Sequence, residues 1–337
     1  MPIMYSNRSN TISTETRQFE DDWRVIKDVL DKTLREQLLQ GHEPRFTNIS
    51  YAEYIQVYSK AWNFSSRRKQ RNYSPKATER TYCALSSYFF DIADKMVAYT
   101  PSSTEGDLAI LVSYVKSFEP FATAAVLLVR LFRMYEDNFL RERTEAWFKQ
   151  PMWPGRSPVP PGMMLVDPNP PKVTIHDGQR SVEAVPVEKL VPVPIEHAAI
   201  PEEIMRWDNA TVDITHDDTH VARLLWPEGE PTLSGNGDHK LHEKDIFAAR
   251  KYARLPANTF MPLVPTLLRL WRLATFKHFT SDDRPLLSMI IHRLKEAGEL
   301  EQNVDSVRMM LKSFWCTGVV EQDLGFADLV DVLRSVA

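Results

Sequence analysis

Histidines and carboxylates gather at two places in the chain. His216, Asp217, Asp218 and His220 fall in THDDTH, and His239 and His242 in DHKLHEKD. Histidines three or four positions apart meet on one face of a helix, the spacing with which imidazoles hold zinc. The surroundings here are rich in Pro and Gly, no cysteine is near, and no HExxH pattern occurs. A solvated polar loop is therefore the plainer reading, with a metal-binding protein using His216, His220, His239 and His242 as the alternative. A second cluster, SSRRKQRNY (Ser65–Tyr73), sets four basic residues beside an aromatic, a pattern able to touch phosphates. As a helix-to-helix loop it reads equally as a solvated charge run, and no nucleic-acid partner is expected. Cys83 lies among Tyr82 and Leu85 on an apolar helical face, the setting of a packed thiol and not of a nucleophile. Paired carboxylates at Asp21-Asp22 and Asp282-Asp283 sit at helix starts, where the helix dipole accounts for them. No GxSxG, Walker-type loop or GxGxxG is present. The expectation is a protein that is not an enzyme and needs no cofactor.

The elements that would position such residues follow from composition and periodicity. The 337 residues carry 41 Lys plus Arg against 45 Asp plus Glu, a formal net charge of −4, which argues against a whole-chain basic field for nucleic acid. Two cysteines cannot form a disulfide framework or a four-cysteine zinc site. No uninterrupted apolar run reaches the length of a membrane span and residues 1–20 lack an apolar signal core, so no membrane partner is expected and the expected location is cytoplasmic or nuclear. Of 23 prolines, twelve lie between Pro151 and Pro201. Proline lacks a backbone donor and biases its predecessor away from the helix, so this stretch interrupts a helical body. The expected divisions are a flexible start (1–15), a helical bundle (16–149), a Pro-rich, largely irregular insert (150–256) and a second helical segment packing on the first (257–337). Within the insert, KVTIHDGQRSVEAVPV alternates about Asp177-Gly178, a type I′ hairpin signal.

Helix punctuation is clear in the first bundle. Phe19, Trp23, Ile26, Leu30, Leu34 and Leu38 recur every three or four residues and end near Gly41. Ser50 with Glu53 makes a capping box opening a second helix, and Ser74-Pro75 opens a third. Asp107–Phe118 reads as a fourth. Pro120 reads as the first turn of a fifth, running to about Lys149, roughly 45 Å at 1.5 Å per residue. In the last segment, helices are expected over Leu263–Phe276, after Ser281-Asp282-Asp283, over Asn303–Cys316 and over Phe326–Val336.

The second helix, YAEYIQVYSKAW, has more aromatic surface than one buried face can use. Tyr51, Ile55, Tyr58 and Trp62 form one stripe at 100° per residue, with Tyr54, Val57 and Ala61 on the adjoining face. If one face packs inward, the other leaves rings in water, and exposed Tyr suits a protein interface.

At this helix the chain resembles the cullins. AEYIQVYSKAW resembles their ELYxxVYxY motif through Glu53, Tyr54, Val57 and Tyr58, following the Trp-bearing first helix FEDDWRVIKDVL. LFRMYEDNFL resembles IFxYLxRxYV through Leu131, Phe132, Phe139 and Leu140, with the YLxR centre replaced. WRLATF resembles WRDxLF through Trp271, Arg272 and Phe276, and LLSMIIHRLKEAGE resembles an LLxLIxxER helix. The likeness covers residues 16–149 and 258–320, with an insert of about 110 residues where cullins have a short link, and no counterpart of the cullin C-terminal domain. It implies an all-α, cullin-repeat-like helical bundle interrupted by a Pro-rich irregular insert. It also implies docking of a BTB/POZ-fold substrate adaptor of a ubiquitin ligase by the second and fifth helices, through Tyr51, Tyr54, Ile55 and Tyr58 and through positions around Leu128, Leu131, Phe132 and Tyr135. Lacking the RING-binding half, such a chain would act in ubiquitin-dependent degradation as a non-catalytic scaffold, a decoy or the partner of a separate catalytic ligase subunit. A helical scaffold unrelated to ubiquitin ligases is the remaining alternative.

Overall fold

The computed structural model describes residues 8–42, 44, 49–65, 75–98, 106–141, 219–226, 250, 260–281, 284–319 and 324–336, together with the backbone of four strands between 163 and 192. The chain is all-α in its body: α1 (Arg8–Leu30), α2 (Tyr51–Ser65), α3 (Pro75–Ala98), α4 (Asp107–Leu131), α5 (Thr219–Leu225), α6 (Leu263–Phe279), α7 (Leu286–Glu296), α8 (Val304–Thr317) and α9 (Phe326–Val336). A π-helical turn, Asp31–Arg35, and Glu36–Leu39 prolong α1. The four strands are β1 (Met163–Val166), β2 (Lys172–His176), β3 (Gln179–Glu183) and β4 (Lys189–Pro192). β2 pairs antiparallel with β3 in the register His176↔Gln179, leaving residues 177–178 between them, and β1 pairs with β4. A two-residue pair, β5 (Thr280–Ser281) with β6 (Arg284–Pro285), precedes α7.

Three helical expectations need correction. Asp21-Asp22 lies inside α1, which begins at Arg8, and not at a helix start. Asp107–Phe118 and the stretch from Pro120 are one helix, α4, with Pro120 in its interior. An interior proline loses one backbone hydrogen bond and crowds the preceding turn, at roughly 3 kcal/mol. Here Phe118, Pro120, Phe121, Ala122, Ala124 and Ala125 are all buried, and at ~25 cal/mol per Å² of apolar surface that packing outweighs the loss. The long helix also stops early. Phe132 leaves helical geometry (φ −110°, ψ 20°), Arg133–Tyr135 makes a further turn, and Glu136–Leu140 is π-helical. Residues 142–149 lie outside the described residues. In the insert, Thr219–Leu225 is helical, with Val221, Leu225 and Trp226 buried; Trp226 packs edge-on against Trp315 of α8 with ring centres 5.5 Å apart.

α6 is the axis of the molecule. From Leu263 to Phe279 nearly every residue is buried, including the polar Thr266, Arg269, Arg272 and Thr275. It packs against α3, α4 and α8. Trp271 sits among Tyr114, Phe118 and Phe121 of α4, with ring centres 5.7, 5.7 and 5.0 Å away. Its indole N–H donates to the Tyr114 hydroxyl at 2.9 Å, and that hydroxyl shares a hydrogen bond with Ser313 Oγ of α8 at 2.8 Å. One polar chain thus ties three helices where water does not reach. The N-terminus of α6 is held from afar: buried Glu136 accepts the Leu263 N–H at 2.8 Å. Arg272 donates to the Thr317 carbonyl at 3.1 Å and Arg250 to the Trp315 carbonyl at 2.6 Å, at the end of α8, which Gly318 terminates in the left-handed conformation.

Among the described residues α4 alone has the length and apolarity of a membrane span, and most of it is buried within the bundle, as in the core helix of a helical bundle. Removing the hydroxyl at Tyr114 leaves the Trp271 N–H and Ser313 Oγ without this partner. Tyr114→Phe should therefore lower the unfolding free energy by about 1–3 kcal/mol, read as a lower urea midpoint at unchanged slope. A change under about 0.5 kcal/mol, the range of an ordinary surface substitution, would show that the polar chain adds nothing to stability.

Candidate functional site

α2 starts through the reciprocal cap its sequence specifies. The Glu53 N–H donates to Ser50 Oγ at 3.2 Å, and the Ser50 N–H donates back to Glu53 Oε2 at 2.8 Å. Ile49, just ahead, is buried. Lys32, in the π-helical turn after α1, donates to Glu53 Oε1 at 2.6 Å. The Lys32 ammonium and the Ser50 donors hold the Glu53 carboxyl at a pKa of about 2, well below the usual range. Toward the other end of α2, Lys60 pairs with the largely buried Asp22 of α1. Glu53 and Lys60 are the only charged residues of α2, and α1 engages both.

Val57, Ala61 and Phe64 form the buried side of α2, with Phe64 5.4 Å from Phe19 of α1 between ring centres. The opposite side is open. Tyr51 is 80% exposed, Ile55 40% and Trp62 43%, with Ala52, Gln56 and Ser59 exposed between them. Tyr54 and Tyr58 are half-buried and stacked, 6.0 Å apart. The described chain exposes five large apolar side chains, the others being Met289 and Val336; three of the five share this one helix. The outer face of α2 is thus an uncharged strip of rings and aliphatic groups. Trp62 belongs to it by position, although the cullin likeness carries only Tyr51, Tyr54, Ile55 and Tyr58.

The positions carried over from the fifth helix do not join this surface. Leu128, Leu131, Phe132 and Tyr135 are each 0% exposed. The Tyr135 hydroxyl donates to the Thr78 carbonyl at 2.8 Å, its ring stacks on Phe139, and burial pushes its pKa well above the ordinary value. These four side chains form the inner, apolar stripe of their element, and no partner reaches them without opening the bundle. The solvent side of the same stretch carries Arg130, Arg133, Asp137 and Arg141. Their spacing of three, four and four is an ordinary helical stripe, so amphipathic periodicity alone indicates which side faces out. The turn Arg133–Tyr135 packs on α2.

Cys83 is half-buried and Cys316 buried; burial pushes their thiols up to about 11 and about 12, which keeps both protonated at neutral pH and unsuited to nucleophilic attack. Among the described residues no three metal-ligating side chains converge. His220 lies in the first turn of α5, while His216, His239 and His242, like Arg67–Tyr73, lie outside the described residues. No family model, curated protein or solved structure matches the chain.

The depressed Glu53 pKa makes the α2 cap acid-sensitive with a definite sign. The carboxylate stabilises the fold fully above its unfolded-state pKa, near 4.5, and this contribution is lost as pH falls toward about 2. The stability gap between wild type and Glu53→Gln, measured by urea denaturation across pH 7 to 3, should therefore narrow steadily below pH 5. A gap that stays constant or widens in acid would mean that the cap and the Lys32 pair do not hold α2.

Proposed function

We propose that this protein is a non-catalytic docking module whose outer α2 face, centred on Tyr51, Ile55 and Trp62 and flanked by Tyr54 and Tyr58, binds a partner protein. The observation that carries this reading is the exposure of those side chains on a helix otherwise seated in the core. Large aromatic side chains in water raise the free energy of the isolated protein, and covering them recovers it; Tyr and Trp are the residue types that dominate binding hot spots. The likeness of AEYIQVYSKAW to the adaptor-contacting helix of cullins favours a BTB/POZ-fold substrate adaptor of a ubiquitin ligase as the partner. That assignment places the protein in ubiquitin-dependent degradation, with any catalytic step supplied by a separate ligase subunit. Leu128, Leu131, Phe132 and Tyr135 have no part in the docking face; their role is to hold α4 and the turns after it against the core.

The test is a pull-down of BTB/POZ-fold adaptors by the wild-type chain and by the triple variant Tyr51→Ala, Ile55→Ala, Trp62→Ala, with Met289→Ala as an exposed control. These side chains lie on the surface, so thermal unfolding of the variant should match wild type. Adaptor recovery should fall by at least about tenfold, since hot-spot truncations each cost about 2 kcal/mol or more, and remain unchanged for Met289→Ala. Equal recovery by the triple variant and wild type would remove α2 as the interface.

A further inference from the structure

The short helix α5 brings a piece of the insert onto the helical body, and its contacts with α8 have the form of a bound ligand. We propose that α5 with Trp226 is a releasable strap. It acts as an intramolecular ligand of the α8 face formed by Lys312, Trp315 and Cys316, and lifts off as a unit while the rest of the bundle stays folded.

The helix depends on what it touches. Its seven residues make about two turns, a length that does not persist as an isolated helix in water. Pro227, directly after Trp226, opposes any extension. Val221, Ala222, Leu225 and Trp226 are buried while Arg223 is exposed, the one-sided spacing with which a helical peptide seats on a protein. The support is α8 and α9, on which α5 packs. On leaving them α5 loses its helix as well as its contacts, so docked and released are two discrete states of one segment.

The seat on α8 is specific. Lys312, Trp315 and Cys316, three and four positions apart, share one face of that helix. The Trp226 ring meets Trp315 edge-on, with ring centres 5.5 Å apart, and its centre lies 5.3 Å from the Lys312 ammonium. Arg250, from further along the insert, stands 4.8 Å from the Trp315 ring centre and donates to the Trp315 carbonyl at 2.6 Å. Arg250 and Lys312 are also the charges that act on Cys316, whose thiol is buried. One set of groups thus runs from Trp226 to Cys316.

Opposing terms meet in this contact. Burial of Val221, Leu225 and Trp226 favours closure. Against it stand the ordering of the whole segment and the partial burial of an ammonium. Lys312 is held below its ordinary pKa by that burial, and Arg308 adds to the effect; the indole face recovers part of the cost. An element seated by a handful of apolar anchors over such a charge opens more readily than α6, which α3, α4 and α8 enclose. Its opening uncovers the Trp315 indole, the Lys312 amine and the Cys316 thiol together.

Hydrogen exchange of the full wild-type chain, at rising urea below the unfolding transition, tests the strap. Amides of residues 223–226 should exchange at least about tenfold faster than those of α6, with a weaker urea dependence because less surface opens. Iodoacetamide labelling of Cys316, separated from Cys83 by peptide mapping, should follow the α5 amides. Trp226→Ala should raise both rates by at least about tenfold at unchanged α6 exchange, since the largest anchor is gone. Arg223→Ala, an exposed control, should change neither. Exchange of α5 in step with α6, or Cys316 labelling that tracks α6, would overturn the strap and make α5 a fixed part of the core. Equal acceleration of α5 and α6 by Trp226→Ala would do the same. Should that variant fail to fold, the wild-type comparison decides.

Discussion

The structure depends on one constraint: α6 is buried on every side from Leu263 to Phe276. Such a helix is stable only when its neighbours enclose it, and the polar groups taken inside need partners there. Trp271 meets that demand through Tyr114 and Ser313, Tyr82 and Thr266 share a hydrogen bond at 3.1 Å, and Glu136 accepts the Leu263 N–H at the start of α6. Because α3, α4 and α8 all close on α6, helices far apart in sequence become one core. The central stretch of the insert contributes too: Trp226 packs between Trp315 and the Lys312 ammonium, 5.3 Å from its ring centre.

The open face of α2 is a consequence of that enclosure. Phe64, Val57 and Ala61 commit one side of the helix to the core, and the π-helical stretch after α4 seals its own apolar stripe against Thr78 and Phe260. With both ionic partners of α2 supplied by α1, the outward side keeps only rings, aliphatic groups and neutral polar side chains. Covering such a side desolvates no charge of α2 itself, since Glu53 and Lys60 are engaged elsewhere. That openness is the basis of the proposed docking face, and it separates the residues of that face from those that support them.

Much of this was legible in the residues. The Ser50–Glu53 box, the stripes of α1 and α2, the residues about Asp177-Gly178 and the helices near the C-terminus were all marked by local chemistry, because caps, turns and periodicity act over a few residues. Two features were not. Pro120 carries the same local signal whether it opens a helix or lies within one; the enclosing core of α4 decides between them. The break at Phe132 and the π-helical turn that follows have no sequence marker, since they arise from fitting Tyr135 and Glu136 to Thr78 and Leu263.

The site shows the same division. Likeness of short motifs led to Leu128, Leu131, Phe132 and Tyr135, although their own periodicity, opposite Arg130, Arg133, Asp137 and Arg141, marks them as interior. The sequence by itself determined that the body is helical, that α2 bears more aromatic surface than one buried face can use, and that a Pro-rich stretch divides the chain. Only the tertiary structure decided which face of α2 is open and which residues of α1 and the turn after it engage Glu53 and Lys60. Burial is a property of neighbours brought together over a hundred residues or more, and no local spacing encodes which neighbour arrives.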